Sequence, residues 1–91
     1  MIRSCRDKDA LRLLERRFSR RLQTIEKPAR VRLELLDAAT SLDDLNLPGL
    51  RLEPLKGDRK GQYSIRINDR YRICFAWRDG DAHDVEIVDH P

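Results

Sequence analysis

The sequence predicts a single α+β domain over residues 1–91, with two N-terminal helices packed on a mostly antiparallel sheet of about four strands. Three observations carry that reading. Leu55–Trp77, LKGDRKGQYSIRINDRYRICFAW, alternates apolar and polar residues around a turn, as a β-hairpin does. Two stretches upstream space their apolar residues three or four apart, as one-sided helices do. After Gly80, Val85 and Ile87 on one face and Val88 on the other make a last strand.

Ile2–Cys5 is a candidate for a short first strand. Asp7 or Asp9 then offers an N-cap, and an acidic first turn suits the helix dipole. Ala10, Leu14 and Phe18 recur every four residues with Leu11 beside them, which predicts a helix from about Lys8 to Phe18. Its other face carries Arg12, Arg16 and Arg17, either as a solvated surface or as a contact for RNA or an acidic partner. Ser19-Arg20-Arg21 ends it. A second helix starts near Pro28, since proline suits a first helical turn, and runs to Ala39 or Thr40. Ala29, Leu33 and Leu36 form its stripe, Val31 and Leu35 widen it, and Arg30, Arg32, Glu34 and Asp37 face water. Each helix is one-sided and needs an apolar surface to cover.

Thr40–Leu50 reads as a loop ended by a Pro-Gly turn, packed down by Leu42, Leu45 and Leu47. Arg51–Leu55 is a short strand that Pro54 either places at an edge or makes irregular. Lys56–Gly61 is a basic turn in which Gly57 and Gly61 free the backbone. It lacks the Gly-Lys-Ser/Thr of a Walker loop. Within the hairpin, Tyr63, Ile65 and Ile67 share one face, and Tyr71, Ile73, Phe75 and Trp77 share one on the return strand. A three-residue loop, Asn68–Arg70, brings both sets to the same side; a two-residue loop would turn one of them outward. That register sets Arg66 opposite Arg72, a mildly unfavourable pairing. Either an anion between them or separate salt bridges to the acidic tail would offset it.

Composition narrows the function classes. The net charge of +3 conceals a pattern: residues 1–36 hold eleven Lys/Arg against five Asp/Glu, and residues 56–78 hold seven against two. Residues 37–55 and 79–91 are acidic. Basic segments of this kind suit a polyanion such as nucleic acid, and equally a surface that neutralises its own acidic tail. No run of about 18 apolar residues crosses a membrane, and the N-terminus lacks an apolar secretion core, so the expected compartment is the cytoplasm. Cys5 and Cys74 then read as reduced strand residues, with a disulfide as the alternative. Two cysteines and two histidines fall short of a spaced metal motif.

The run RLEPLKGDRKGQYSIRINDRYRICFAW, followed by DVEIVDHP, resembles the HigB branch of the RelE-like bacterial toxins, also known as plasmid-maintenance killer proteins. The pattern is LKGDR-G, a strand S-I, then N-W/Y-R-I-F and an end near Asp-Tyr-His. Leu55–Arg59 with Gly61, Ser64-Ile65, and Tyr71-Arg72-Ile73 match it, as does the helix end LLDAAT, so the resemblance covers nearly the whole chain. It implies a RelE-like, microbial-ribonuclease-type fold and the toxin of a type II toxin–antitoxin pair. It also implies an endoribonuclease that enters the A site of the 70S ribosome, cleaves mRNA there and so inhibits translation, with no metal or other cofactor. The implied partner is a helix-turn-helix antitoxin of the HigA kind. Direct DNA binding is not expected of this chain, which has no recognition-helix signature.

The family's site carries over in part. A histidine often precedes Pro-Leu-Lys-Gly; Glu53 stands there. Lys56 and Arg72 are kept. The terminal Asp-Tyr-His becomes Asp89-His90-Pro91, so the aspartate stays and His90 takes the tyrosine position. Cleavage through a 2′-hydroxyl needs a proton acceptor, charge stabilisation at the phosphate and a donor for the leaving oxygen. Glu53 is a candidate acceptor, Lys56 and Arg72 candidate stabilisers, and His90 a candidate base or donor oriented by Asp89. Arg59, Lys60, Arg66 and Arg70 are candidates for holding the RNA backbone. Tyr63 and Tyr71 are core residues first and stacking platforms second, and His83 reads as surface. The alternative function is a non-catalytic RNA- or ribosome-binding module, a degenerate toxin.

Overall fold

The computed structural model describes residues 1–89. One antiparallel sheet has strands that follow chain order: β1 (Glu53–Pro54), β2 (Gln62–Arg66), β3 (Tyr71–Arg78) and β4 (Asp81–Asp89). The hairpin register is the one parity demands, with Ile65 opposite Ile73 and Arg66 opposite Arg72. Ile67 N–H donates to the Tyr71 carbonyl at 2.9 Å, which leaves Asn68–Arg70 as the loop. The Asn68 side-chain oxygen accepts from the amides of Arg70 and Tyr71, both at 2.8 Å, and locks that loop.

The β3–β4 turn is Asp79-Gly80, left-handed at both residues (φ 53° and 77°) as a tight two-residue hairpin turn requires. Counting from that turn, strict pairing would set Glu86 against Ile73, inside the core. A bulge prevents it. The register shifts between Cys74 and Ala76, Asp84 takes φ 54°, and Glu86 comes opposite Cys74 while Ile87 comes opposite Ile73. Ala82, Val85 and Ile87 are thereby all buried. Ile2–Cys5 runs parallel along the outer edge of β4 through two bridges, Ile2 to Ala82 and Cys5 to Val85, and covers that edge.

Two helices, α1 (Lys8–Leu14) and α2 (Glu26–Ala38), cover one sheet face. Ala10, Leu13, Ala29, Leu33 and Leu36 join Ile65, Ile73, Phe75 and Val85 in one core, with Leu22 and Ile25 from the connecting turn. The expected first helix is too long. Arg16 adopts a left-handed backbone (φ 59°), so α1 ends at Leu14, and Phe18 is 61% exposed. The buried stripe is Ala10 and Leu13, with Leu14 partly covered. In α2 the helix begins at Glu26, ahead of Pro28, and Val31 and Leu35 stay exposed instead of widening the stripe. Nor do Arg30 and Arg32 simply face water. Arg30 donates to the carbonyls of Leu13 and Arg17, and Arg32 to the carbonyl of Arg66, so both tie backbone ends together.

Asp7 caps α1, accepting from the Asp9 amide at 2.8 Å. Arg21 clasps both aspartates (2.6 Å to Asp7, 2.8 Å to Asp9), and Asp7 also accepts from the Ile87 amide, which anchors the far end of β4. The bond from Arg21, helped by those from Ser19 and Arg12, holds the Asp9 carboxyl below its usual range against the opposing effect of burial. Among the described residues no helix is long and apolar enough to cross a membrane.

Candidate active site on the open sheet face

Sheet register puts Glu53, Ser64, Cys74 and Glu86 in one row across all four strands. The next row holds Arg66, Arg72 and Val88. Both rows lie on the side opposite Ile65, Ile73 and Ile87, away from the helices. Ser64 and Cys74 are buried at the middle of the row, and the two glutamates stand at its ends. A pocket of about 220 Å³ opens over Glu53, Ser64 and Cys74, walled by Leu55, Arg59, Arg72 and Val88.

Both arginines in this pocket are held by protein acceptors. Arg72 Nε donates to Ser64 Oγ at 2.8 Å and Nη2 to the Arg51 carbonyl at 2.8 Å. Arg51 has a left-handed backbone (φ 46°), a strained setting for the residue whose carbonyl receives Arg72. Arg59 comes from the turn after β1. Gly57 (φ 64°) and Gly61 (φ 91°) let the helical turn Gly57–Arg59 fold back toward β2. Its Nη1 donates to Gln62 Oε1 at 3.1 Å and to Glu86 Oε1 at 2.5 Å. The bond to Glu86 raises the guanidinium pKa further, so Arg59 is a permanent cation. Burial pushes the Cys74 thiol up, which keeps it protonated and unreactive on the pocket floor.

The remaining candidates are spread around this pocket. Lys56 is exposed at the start of the turn, next to Leu55 in the wall; Lys60 is exposed at its end. Arg66 pairs with Asp69 in the hairpin loop. The opposition of Arg66 and Arg72 is therefore relieved by Asp69, Ser64 and the Arg51 carbonyl, and not by the acidic tail. The tail pairs elsewhere: Asp81 with Arg3 and the N-terminal amine, Glu86 with Arg59, and Asp89 with Arg70 at 2.7 Å. Asp89 sits opposite Tyr71, in register with the helix-covered face, and its bond from Arg70 holds its carboxyl below the usual range. His90 lies outside the described residues. Tyr63 packs at the core edge against Phe75, ring centres 6.2 Å apart, and Arg70 lies over the Tyr71 ring at 5.3 Å. His83 is half-buried opposite Ala76. Both cysteines are free.

Glu86, Gln62, Ser64 and Cys74 were not among the residues picked from sequence. Strand parity marks Glu86 as facing away from Val85 and Ile87; its place opposite Cys74 depends on the bulge at Asp84. Among the described residues no cluster of histidine, cysteine, aspartate and glutamate is arranged to hold a metal ion.

A helix-backed antiparallel sheet with a pocket of arginines and a carboxylate on its bare face defines a small α+β domain. Residues 5–90 match the family model described as RelE-like toxin of type II toxin–antitoxin system HigB, and the chain belongs to that family. It is 44% identical over 68 residues to Toxin HigB-1 of Vibrio cholerae serotype O1, a match spanning 74% of this chain and 72% of that one. It is 41% identical over 59 residues to Endoribonuclease HigB of Proteus vulgaris, spanning 65% of this chain and 64% of the relative. Membership implies an antitoxin partner.

Proposed function

We infer that this toxin is an mRNA endoribonuclease acting in the A site of translating 70S ribosomes, in the cytoplasm, on a RelE-like ribonuclease-type fold. The observation that carries the reading is the meeting of Glu53 and Arg72 in one open-face pocket of a chain whose family includes a protein named endoribonuclease. Glu53 accepts the proton of the 2′-hydroxyl as that oxygen attacks phosphorus. The bond to the 5′-oxygen breaks, leaving a 2′,3′-cyclic phosphate. Arg72 and Lys56 stabilise the charge that gathers on the non-bridging oxygens. Arg72 suits this task because its two acceptors orient the guanidinium and leave Nη1 without a protein partner among the described residues. His90 protonates the leaving 5′-oxygen, and Asp89, bonded to Arg70 at the end of β4, anchors the strand end that precedes it. Lys60, Arg66 and Arg70 hold RNA backbone around the pocket. A helix-turn-helix antitoxin of the HigA kind neutralises the toxin. No step calls for a metal ion, since side chains meet each proton and charge requirement.

Expression without antitoxin should arrest growth and produce new mRNA 5′ ends inside translated messages. Glu53→Ala, Lys56→Ala and Arg72→Ala should each keep ribosome binding and lose cleavage by about 10²-fold or more. Ribosome binding with intact mRNA, in cells and in extracts, would instead identify a non-catalytic binding module.

A further inference from the structure

Arg59 stands inside the candidate pocket, although its place in a basic glycine-flanked turn marks it in the sequence as one more backbone-holding cation. Its geometry differs from that of Arg66 and Arg70, which pair with Asp69 and Asp89 at the hairpin end. Arg59 reaches over the row Ser64–Cys74–Glu86 and ends on Glu86, the carboxylate at the far side from Glu53. Glu86 is largely sheltered, with its side chain 17% exposed, so the pair is stronger than a surface ion pair of the same length.

The hydrogen bonds of Arg59 leave part of the guanidinium free. Both protein acceptors, Gln62 Oε1 and Glu86 Oε1, bind Nη1. Nε and Nη2 have no protein acceptor among the described residues. A guanidinium held along one edge and bare along another is set to bind a second, planar pair of oxygens. Arg72, in the same pocket lining, is anchored along the other edge, through Nε and Nη2, and leaves Nη1 free. The two cations point into one pocket from a turn and from a strand.

We propose that Arg59 is a second phosphate-contacting catalytic residue, and that Glu86 with Gln62 is its positioning pair. The inference rests on the nuclease reading above. Arg59 and Arg72 clamp the non-bridging oxygens of the scissile phosphate from two sides. Glu86 balances the extra cation while the site is empty and fixes which edge of Arg59 meets the RNA. Because the clamp strengthens as charge builds on phosphorus, it acts more on kcat than on KM.

The test uses the full-length toxin with programmed ribosomes in excess, under steady-state, multiple-turnover conditions. Arg59→Ala should lower the cleavage rate about 10²-fold, and Arg59→Lys should recover little of it, since an ammonium cannot keep both anchors and a free edge. Glu86→Gln keeps a hydrogen-bond acceptor and the shape of the pocket. It should lower kcat about tenfold and leave KM within about twofold, with thermal unfolding close to that of the parent. A structural role alone predicts loss of unfolding temperature with kcat intact; that outcome, or parental cleavage by Arg59→Ala, overturns the proposal. Absence of cleavage by the parent toxin would instead remove the nuclease reading.

Discussion

Single side chains in this protein work mainly by holding other side chains. Arg72 is steered by Ser64 and the Arg51 carbonyl, Arg59 by Gln62 and Glu86, and β4 by the clasp of Arg21 on Asp7 and Asp9. The clasp gives a pH prediction. Bonding from Arg21 depresses the folded-state pKa of Asp9. A depressed carboxylate stabilises the fold above its unfolded pKa, and that contribution fades as pH falls through the folded value. Arg21→Ala should therefore cost about 1–2 kcal/mol at neutral pH, a modest figure because the guanidinium is part exposed. Urea unfolding should show the gap between variant and parent closing as pH falls below the ordinary aspartate range. A gap that is unchanged in acid would exclude the ion pairs as its source.

Elements here end where backbone conformation, not apolar spacing, requires it. The stripe Ala10, Leu14, Phe18 suggests one long helix, but the left-handed Arg16 stops α1 after two turns and leaves Phe18 in solvent. Spacing alone cannot register that break, since arginine carries no turn signal. The 67–71 loop is the opposite case: the requirement that two apolar sets share a face left one loop length, and Asn68 closes it. Gly80 was legible as a turn, but not its close approach to the segment that follows α2. A Cβ there would sit 3.3 Å from the Thr40 carbonyl, and φ is 77°. Gly80→Ala should thus destabilise the protein by about 1–2 kcal/mol, through both the left-handed backbone and that contact. Chemical denaturation measures it; a neutral result would mean that the turn relaxes away from Thr40.

For the molecule as a whole, two layers divide the sheet: the helices close the core on one face, and the other face carries the open pocket. Leu33 lies fully buried between them, so Leu33→Ala should cost about 3 kcal/mol in equilibrium unfolding and lower cleavage only through loss of folded protein. Among the described residues, Asp81, Glu86 and Asp89 of the tail each pair with a different arginine, and none of them pairs with Arg66 or Arg72. By itself the sequence determined the α+β class, the hairpin register, the family, and the presence of Glu53, Arg59 and Arg72, because alternation, turn chemistry and motif spacing are local properties. Only the tertiary structure decided that Glu53, Ser64, Cys74 and Glu86 form one row and that Arg59 spans it. That row depends on pairing between distant strands and on one extra residue at Asp84, which turns Glu86 out of the core and onto the open face, within reach of Arg59.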